Sequence, residues 1–240
     1  MDILNKLLFG EKYGVCIFCG SKVKLSDSVF HKNNACICRS CNSNIKIAPF
    51  NHFYDGTEHL SFVIAPLHYS GAVISAIHNL KFNFMQDVAD ALCYYINTYI
   101  SVFEEDEFSL NNFDMLVPVP LSNQRLNERG YNQAELIALN ISSHFNIPLE
   151  KNILFKIKNT KPQSTLSHDK RKENIKNAYS CNHDVSGKNI ILVDDVFTTG
   201  NTLDACAKVL KDRGAKTVSA ITVTCSSSIR HSQLYYELFS

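Results

Sequence analysis

The sequence predicts an α/β domain, a parallel sheet with flanking helices, preceded by a small segment held by metal rather than by a core. Two observations carry this. Asn189-Ile190-Ile191-Leu192-Val193 is a continuous apolar run of the kind buried in a parallel sheet. Leu203, Cys206, Ala207 and Leu210 follow at helical spacing, and Val218 to Thr224 then alternates with β-branched residues, completing a βαβ unit. The second observation lies at the other end, where Cys16-x2-Cys19 and Cys38-x2-Cys41 are separated by eighteen residues.

The elements follow in order. Residues 1 to about 47 hold two cysteine pairs, polar linkers and few periodic apolar stripes, so this block is expected to bury little apolar area. Phe62-Val63-Ile64-Ala65 reads as a short buried strand ended by Pro66. Helices are expected around Val73 to Leu80 and Val88 to Tyr99, the second with Leu92, Tyr95, Ile96 and Tyr99 on one face. Residues 104–112, acidic and then Asn-rich, read as a surface connection. Met115 to Pro120 is a strand running into a loop. From about Gln133 a helix places Ala134, Ile137, Ala138 and Ile141 at i, i+3, i+4 and i+7. Residues 156–177 are basic, polar and aperiodic, which predicts a long mobile loop of the functional kind. Gly214 suits the stop of the last helix.

Composition bounds the function. Hydrophobic content of 45% and charged content of 20% are ordinary for a soluble globular chain of 240 residues. A formal net charge of +1 argues against a global electrostatic grip on nucleic acid, so DNA binding would need a local patch. No stretch approaches the roughly 20 apolar residues of a membrane span. The start MDILNKLLFGEK is too short and too charged for a signal peptide. Nine cysteines without an export signal point to a reducing cytoplasm and to metal binding before disulfides.

Each C-x2-C pair turns tightly enough to aim two thiolates at one ion. Cys16, Cys19, Cys38 and Cys41 would complete a closed tetrahedral zinc site with no open position for chemistry. Cys36-x-Cys38 offers a rival ligand, and inert buried thiols are the plain alternative. Cys93, Cys181, Cys206 and Cys225 lie on apolar faces or alone and are expected to be core or incidental. On this reading Cys16→Ser unfolds the first fifty residues and leaves the later domain folded.

Val193-Asp194-Asp195-Val196-Phe197-Thr198-Thr199-Gly200-Asn201-Thr202 follows the apolar run and opens a helix. Asp194 and Asp195 stand at the carboxyl end of a strand, where open α/β sheets bind ligands, and their carboxylates can accept hydrogen bonds from ribose hydroxyls. Thr198, Thr199, Gly200, Asn201 and Thr202 offer hydroxyls and backbone N–H groups at a helix N-terminus, an anion site. Gly200 permits close backbone approach to phosphate. The lysine of G-x4-G-K-[ST] is absent, which argues against a P-loop motor. The bland alternative is a turn and helix cap.

This ten-residue string resembles the 5-phosphoribosyl-1-pyrophosphate (PRPP) motif of type I phosphoribosyltransferases, and the chain as a whole resembles the ComF family (the ComFC and GntX group). The paired cysteines match that family's zinc module. Tyr69-Ser70-Gly71 and Ile77-His78-Asn79-Leu80-Lys81-Phe82 match its next signature. Pro118-Val119-Pro120-Leu121 with Arg125, Arg129, Gly130, Tyr131, Asn132 and Gln133 matches its most distinctive one. Thr160, Gln163, Leu166, Arg171, Asn174, Ala178 and Tyr179 match the loop before the PRPP motif.

The resemblance implies a double zinc-ribbon-like module over residues 1–50 and a phosphoribosyltransferase-like domain, Rossmann-like in its sheet, over residues 51–240. It implies that Asp194 and Asp195 bind the ribose hydroxyls and Thr198 to Thr202 the 5-phosphate. Arg125 and Arg129 would face the pyrophosphate and its Mg²⁺, making these four charged residues the catalytic set, and the stretch holding Lys170 and Arg171 would close over the ligand. Asn127 stands where a further basic residue is expected, which weakens the pyrophosphate grip. No side chain in the loop is an obvious general base, since Thr198 replaces an acid found in some purine-salvage relatives.

Plainer readings remain open. Arg125 and Arg129 fit an i,i+4 pair on a solvated helix. The basic stretch from Lys151 to Lys176 fits a solvated face, a PRPP-facing loop or a DNA patch, with Phe155 alone for stacking. His78 reads as structural. Ile3, Leu4, Leu7 and Leu8 read as packing on the zinc module rather than on a membrane.

Three functions follow. The resemblance implies first a competence-type protein handling incoming single-stranded DNA in the cytoplasm, peripheral at the inner membrane, with PRPP as ligand and a competence helicase or membrane channel proteins as partners. The second is a metabolic phosphoribosyltransferase acting on a small nucleophile, and the third a non-catalytic binding scaffold.

Overall fold

The computed structural model of the protein describes residues 12–48, 53–55, 57–103, 109–158 and 177–225. Expectations for Ile3, Leu4, Leu7, Leu8, for residues 104–108, and for Thr160, Gln163, Leu166, Lys170, Arg171 and Asn174 lie outside the described residues.

Four strands come first among the described residues: β1 (Tyr13–Cys16), β2 (Lys22–Lys24), β3 (Ser28–Lys32) and β4 (Ala35–Cys38), in the order β2-β1-β4-β3 and followed by α1 (Arg39–Asn44). The main sheet has six strands among the described residues. These are β5 (Phe53–Asp55), β6 (Phe62–Ile64), β7 (Leu67–His68), β8 (Met115–Pro118), β11 (Asn189–Phe197) and β12 (Thr217–Cys225). Its order is β5-β6-β12-β11-β8, with β7 extending β6's side along the end of β12. All neighbours pair in parallel except β5 with β6. No described helix is long and apolar enough to cross a membrane.

A strand's period of two explains why both faces of this sheet are covered. Ile191 and Val193 of β11 point into one core, while Ile190 and Leu192 point into the other. The first core is closed by α2 (Gly71–Phe82), α3 (Asp87–Phe103) and α5 (Gln133–Phe145). The second is closed by α6 (Asn201–Lys211) through Leu203, Cys206, Ala207 and Leu210, and by the antiparallel pair of β9 (Leu154–Lys156) and β10 (Tyr179–Cys181). Leu92, Ile96 and Ile100 of α3 have no exposed surface; each contributes roughly 1.5–3 kcal/mol relative to exposure. The four cysteines outside the N-terminal pairs and Cys36 are buried in these cores, as expected. Past α6, Gly214 takes φ +90 and the Ala215 N–H reaches back to the Leu210 carbonyl at 3.1 Å, closing the helix end.

Two expectations need correction. β11 does not end at Val193 but runs on to Phe197, pairing Asp194 with Thr222 and Val196 with Thr224 of β12. The aspartates are therefore strand residues, on opposite faces. The cysteine-rich segment also buries more than expected. Ile17, Phe18 and Ile37 join the same core as α3. Phe18 packs on Tyr95 at 6.1 Å between ring centroids, and the Tyr95 hydroxyl donates to Asn42 Oδ1 at 2.9 Å. Lys32 pairs with Asp90 at 2.8 Å, and Asn33 donates to Asp87 at 3.0 Å. Helix α3 is thus covered twice, by the sheet on one side and by the cysteine-rich segment on the other. No periodic stripe announces this, because short strands supply only one or two apolar residues each.

Candidate functional site

At the carboxyl ends of β8 and β11 lies a cavity of about 290 Å³. Beyond β8, the Val119-Pro120-Leu121 loop leads into α4 (Asn123–Arg129), whose first turn is capped by Ser122 Oγ accepting from the Arg125 N–H at 3.4 Å. Arg125 and Arg129 both line the cavity from this helix. Arg129 is 9% exposed, so it does not sit on a solvated face.

The segment Arg129-Gly130-Tyr131-Asn132-Gln133 explains its own composition. Gly130 takes φ +71 to turn the chain between α4 and α5. The Tyr131 hydroxyl donates to the Leu80 carbonyl at 2.5 Å, pinning α2. Asn132 caps α5 through the Ala134 N–H at 3.1 Å while its amide donates to the Val119 carbonyl at 3.0 Å, fixing the loop after β8. Gln133 accepts from Arg129 Nη1 at 2.9 Å and offers its amide to Asp195 Oδ1 at 3.5 Å. One short run so joins an arginine on α4 to a carboxylate on β11.

Asp195, 4% exposed, pairs with the ammonium of Lys81 at the end of α2. Burial alone would raise its carboxyl, but Lys81, with the neighbouring Asp194 and the Gln133 amide as donors, holds it below the usual carboxylate range. Asp194 faces the opposite layer. Burial, then the charge of Asp195, pushes its carboxyl well above the usual range. Near it stands Lys156, whose ammonium lies 5.3 Å from the Tyr179 ring centre and whose pKa is lowered by burial and by the charge of Arg125. Four cations and two carboxylates meet here, a balance suited to a polyanion that also carries hydroxyls.

After β11 the chain turns at Gly200, φ +76, into α6. A Cβ there would lie 2.8 Å from Thr57 Cγ2 and 2.9 Å from Phe197 Cε2, so only glycine fits. Thr57 is held in place by Asp204, which accepts from the Thr57 hydroxyl and, at 2.9 Å, from the His59 N–H.

Of the residues predicted from sequence, Asp194, Asp195, Arg125, Arg129, Thr198, Gly200 and Thr202 come together around the cavity. Thr199 and Asn201 do not line it; Thr199 Oγ1 and Asn201 Nδ2 are buried without a hydrogen-bond partner among the described residues. Sequence reasoning missed Lys81, Gln133, Lys156 and Tyr179 as lining residues. Lys81 and Gln133 stand inside the recognised signatures, which was the available signal. Lys156 carried none beyond lying in a basic stretch.

The predicted metal ligands converge as well. The sulfurs of Cys16, Cys19, Cys38 and Cys41 lie within 4.8 Å of one another, with Cys19 and Cys38 at 3.9 Å. A tetrahedral ion with sulfur bonds of about 2.3 Å sets sulfurs about 3.8 Å apart. The Cys41 N–H donates to Cys38 Sγ at 3.3 Å, the turn that C-x2-C spacing permits. This four-sulfur cluster fits structural zinc. Cys36, the rival, stands outside it, fully buried, with its sulfur 3.3 Å from where a Cβ on Gly14 would lie.

Comparison with known proteins supplies the family. Residues 132–236 match the phosphoribosyl transferase domain family. The chain is 38% identical over 108 residues to "Competence protein F" of Haemophilus influenzae, covering 44% of this chain and 47% of that one. It is 31% identical over 157 residues to "DNA utilization protein YhgH" of Escherichia coli K12, covering 65% and 67%. To "Competence protein ComFC" of Bacillus subtilis it is 34% identical over 133 residues, covering 53% and 48%. The chain therefore spans between about half and two thirds of the length of these relatives. A parallel sheet flanked by helices, with this matched domain and a four-cysteine cluster before it, defines a type I phosphoribosyltransferase fold with a zinc-compatible module. Within that class the chain belongs to the ComF family.

Proposed function

We propose that the cavity binds PRPP with Mg²⁺ and that the protein acts in natural competence, handling incoming single-stranded DNA on the cytoplasmic side of the inner membrane. One observation carries the ligand reading: two carboxylates at the tip of β11 face Lys81, Arg125, Arg129 and Lys156 across a single cavity beside the Gly200 turn. The relatives' names support the cellular role.

Mg²⁺, when bound, neutralises pyrophosphate charge as a Lewis acid. The residues fit such a complex: the carboxylates are oxygen donors of the kind Mg²⁺ takes, and the unpartnered Thr199 hydroxyl and Asn201 amide lie within the anion loop. Asp194 and Asp195 accept from the ribose hydroxyls, Asp195 sharing its charge between the sugar and Lys81. The turn from Thr198 to Thr202 holds the 5-phosphate with backbone N–H groups and hydroxyls. Arg125 and Arg129 meet the pyrophosphate, and Gln133 keeps Arg129 and Asp195 in register. The cysteine-rich segment, with zinc, supports α3 and offers a surface to DNA or to a protein partner such as a competence helicase or channel.

Calorimetry of PRPP with Mg²⁺ tests this. A hydrogen bond to a charged group is worth about 1.5–3 kcal/mol, so Asp194→Asn should bind roughly ten- to a hundred-fold more weakly. Equal affinity would remove PRPP from this cavity. Pyrophosphate release with a small acceptor alone, indifferent to DNA, would move the role to metabolism.

A further inference from the structure

A second groove, of about 500 Å³, shares the Lys81, Arg125 and Arg129 wall of the first and opens on its other side. Its floor is aromatic. Phe82 is 56% exposed and Phe84 66%. Large apolar rings held in water need a reason when they cluster beside a functional pocket. Phe84 adds a second oddity: its φ is +55, a left-handed conformation that bulky side chains rarely adopt. Nothing buried rewards that strain, since the ring points to solvent. Phe82 already carries a cation over its ring, the Arg129 guanidinium 5.0 Å from its centre, and the His78 ring lies tilted by 43° at 4.8 Å.

From this juxtaposition we propose that the groove is a stacking platform for unpaired bases of single-stranded nucleic acid, with Phe84 and Phe82 receiving the base and Lys81 and Arg125 the flanking phosphates. The proposal deepens the single-strand reading above by giving it a site. Charge favours this occupant over an apolar peptide or a second copy of the chain: Arg125, Arg129 and Lys81, the last already paired with Asp195, face one carboxylate, Glu128, which accepts from Gln124 at 2.9 Å. Arg125 makes no salt bridge among the described residues. A duplex hides its ring faces and cannot use such a floor, whereas every unpaired base has one. The shared wall sets the strand beside the sugar-phosphate pocket, so strand and PRPP meet on the same cations.

The test is fluorescence anisotropy of a labelled short oligothymidylate with the full zinc-loaded chain. Phe84→Ala should weaken binding about five- to a hundred-fold, while Phe84→Trp should retain it. Phe84→Gly should weaken binding equally yet raise Tm, because glycine adopts the left-handed backbone without strain. A merely structural phenylalanine predicts the opposite pairing. Thymidine 5′-monophosphate should compete weakly, and a duplex of the same length should lack the dependence on Phe84. Equal oligonucleotide affinity of Phe84→Ala and wild type would overturn the proposal. So would a variant that changes only the oligomeric state in light scattering, which would make the groove a self-association face. PRPP calorimetry on the same variants separates the two readings. PRPP binding without any oligonucleotide binding removes the platform and spares the pocket. Phe84-dependent oligonucleotide binding without PRPP binding does the reverse.

Discussion

The cysteine-rich segment and the cavity at the tip of β11 are both polar constellations, yet they are assembled in opposite ways. The four thiols come from two short turns within one small sheet, and their convergence is written in spacing. The cavity takes Lys81 from α2, Arg125 and Arg129 from α4, Gln133 from α5, Lys156 from β9 and the aspartates from β11. Only a completed core brings them together. Local chemistry therefore specifies the first site, and tertiary packing specifies the second.

The strongest way to break this contrast is to strip the metal. Structural zinc typically carries about 10–16 kcal/mol of apparent binding energy that becomes folding energy. Chelation or Cys16→Ser should unfold residues 12–48. Because Phe18 and Ile37 share a core with α3, the loss should also uncover α3 and lower the calorimetric Tm of the remaining domain. Hydrogen exchange confined to the first fifty residues, with that Tm unchanged, would show that the two regions are independent after all.

Next comes Gly200→Ala. Its left-handed φ and the contact with Thr57 should cost about 2 kcal/mol, read as a lower urea midpoint together with weaker PRPP binding. A neutral result would mean that the turn is not rigid.

Asp194→Asn has a smaller effect on stability, and its sign is the informative part. A carboxyl pushed up by burial and by Asp195 is disfavoured as an ion in the folded state. Stability is therefore lost as pH rises from the ordinary carboxylate range through the folded pKa of Asp194. Asp195, held down with Lys81, behaves conversely, and its contribution is lost as pH falls through its own depressed pKa. Asp194→Asn should raise Tm at neutral pH while weakening PRPP, and the gain should vanish in acid. A lower Tm at neutral pH would contradict the assignment. Smallest of all, Lys32→Ala removes an ion pair whose lysine is 54% exposed, and should shift stability by less than about 1 kcal/mol.

How much was legible follows from the same contrast. The β11–α6–β12 unit was readable because apolar runs and helical spacing are local signals, and the helix from Gln133 announced itself at i, i+3, i+4 and i+7. Strand β11 was underestimated because Asp194 and Asp195 look like loop residues by composition, although backbone pairing with β12 carries the strand past them. Lys81 escaped because its partner Asp195 is remote in sequence, and no periodicity links an ammonium on one helix to a carboxylate on a distant strand. The plainer alternative for Arg129, an i,i+4 partner on a solvated helix, gives way because Phe82 and Gln133 enclose its guanidinium.

The opposed directions of Asp194 and Asp195 have a mechanical consequence. The two sides of the sheet are separate hydrophobic layers, and at the tip of β11 one carboxylate belongs to each. A sugar gripped by both would straddle the strand end like a rivet through two plates. Occupancy would then stiffen α5 and α6 together, although these helices lie on different sides of the sheet.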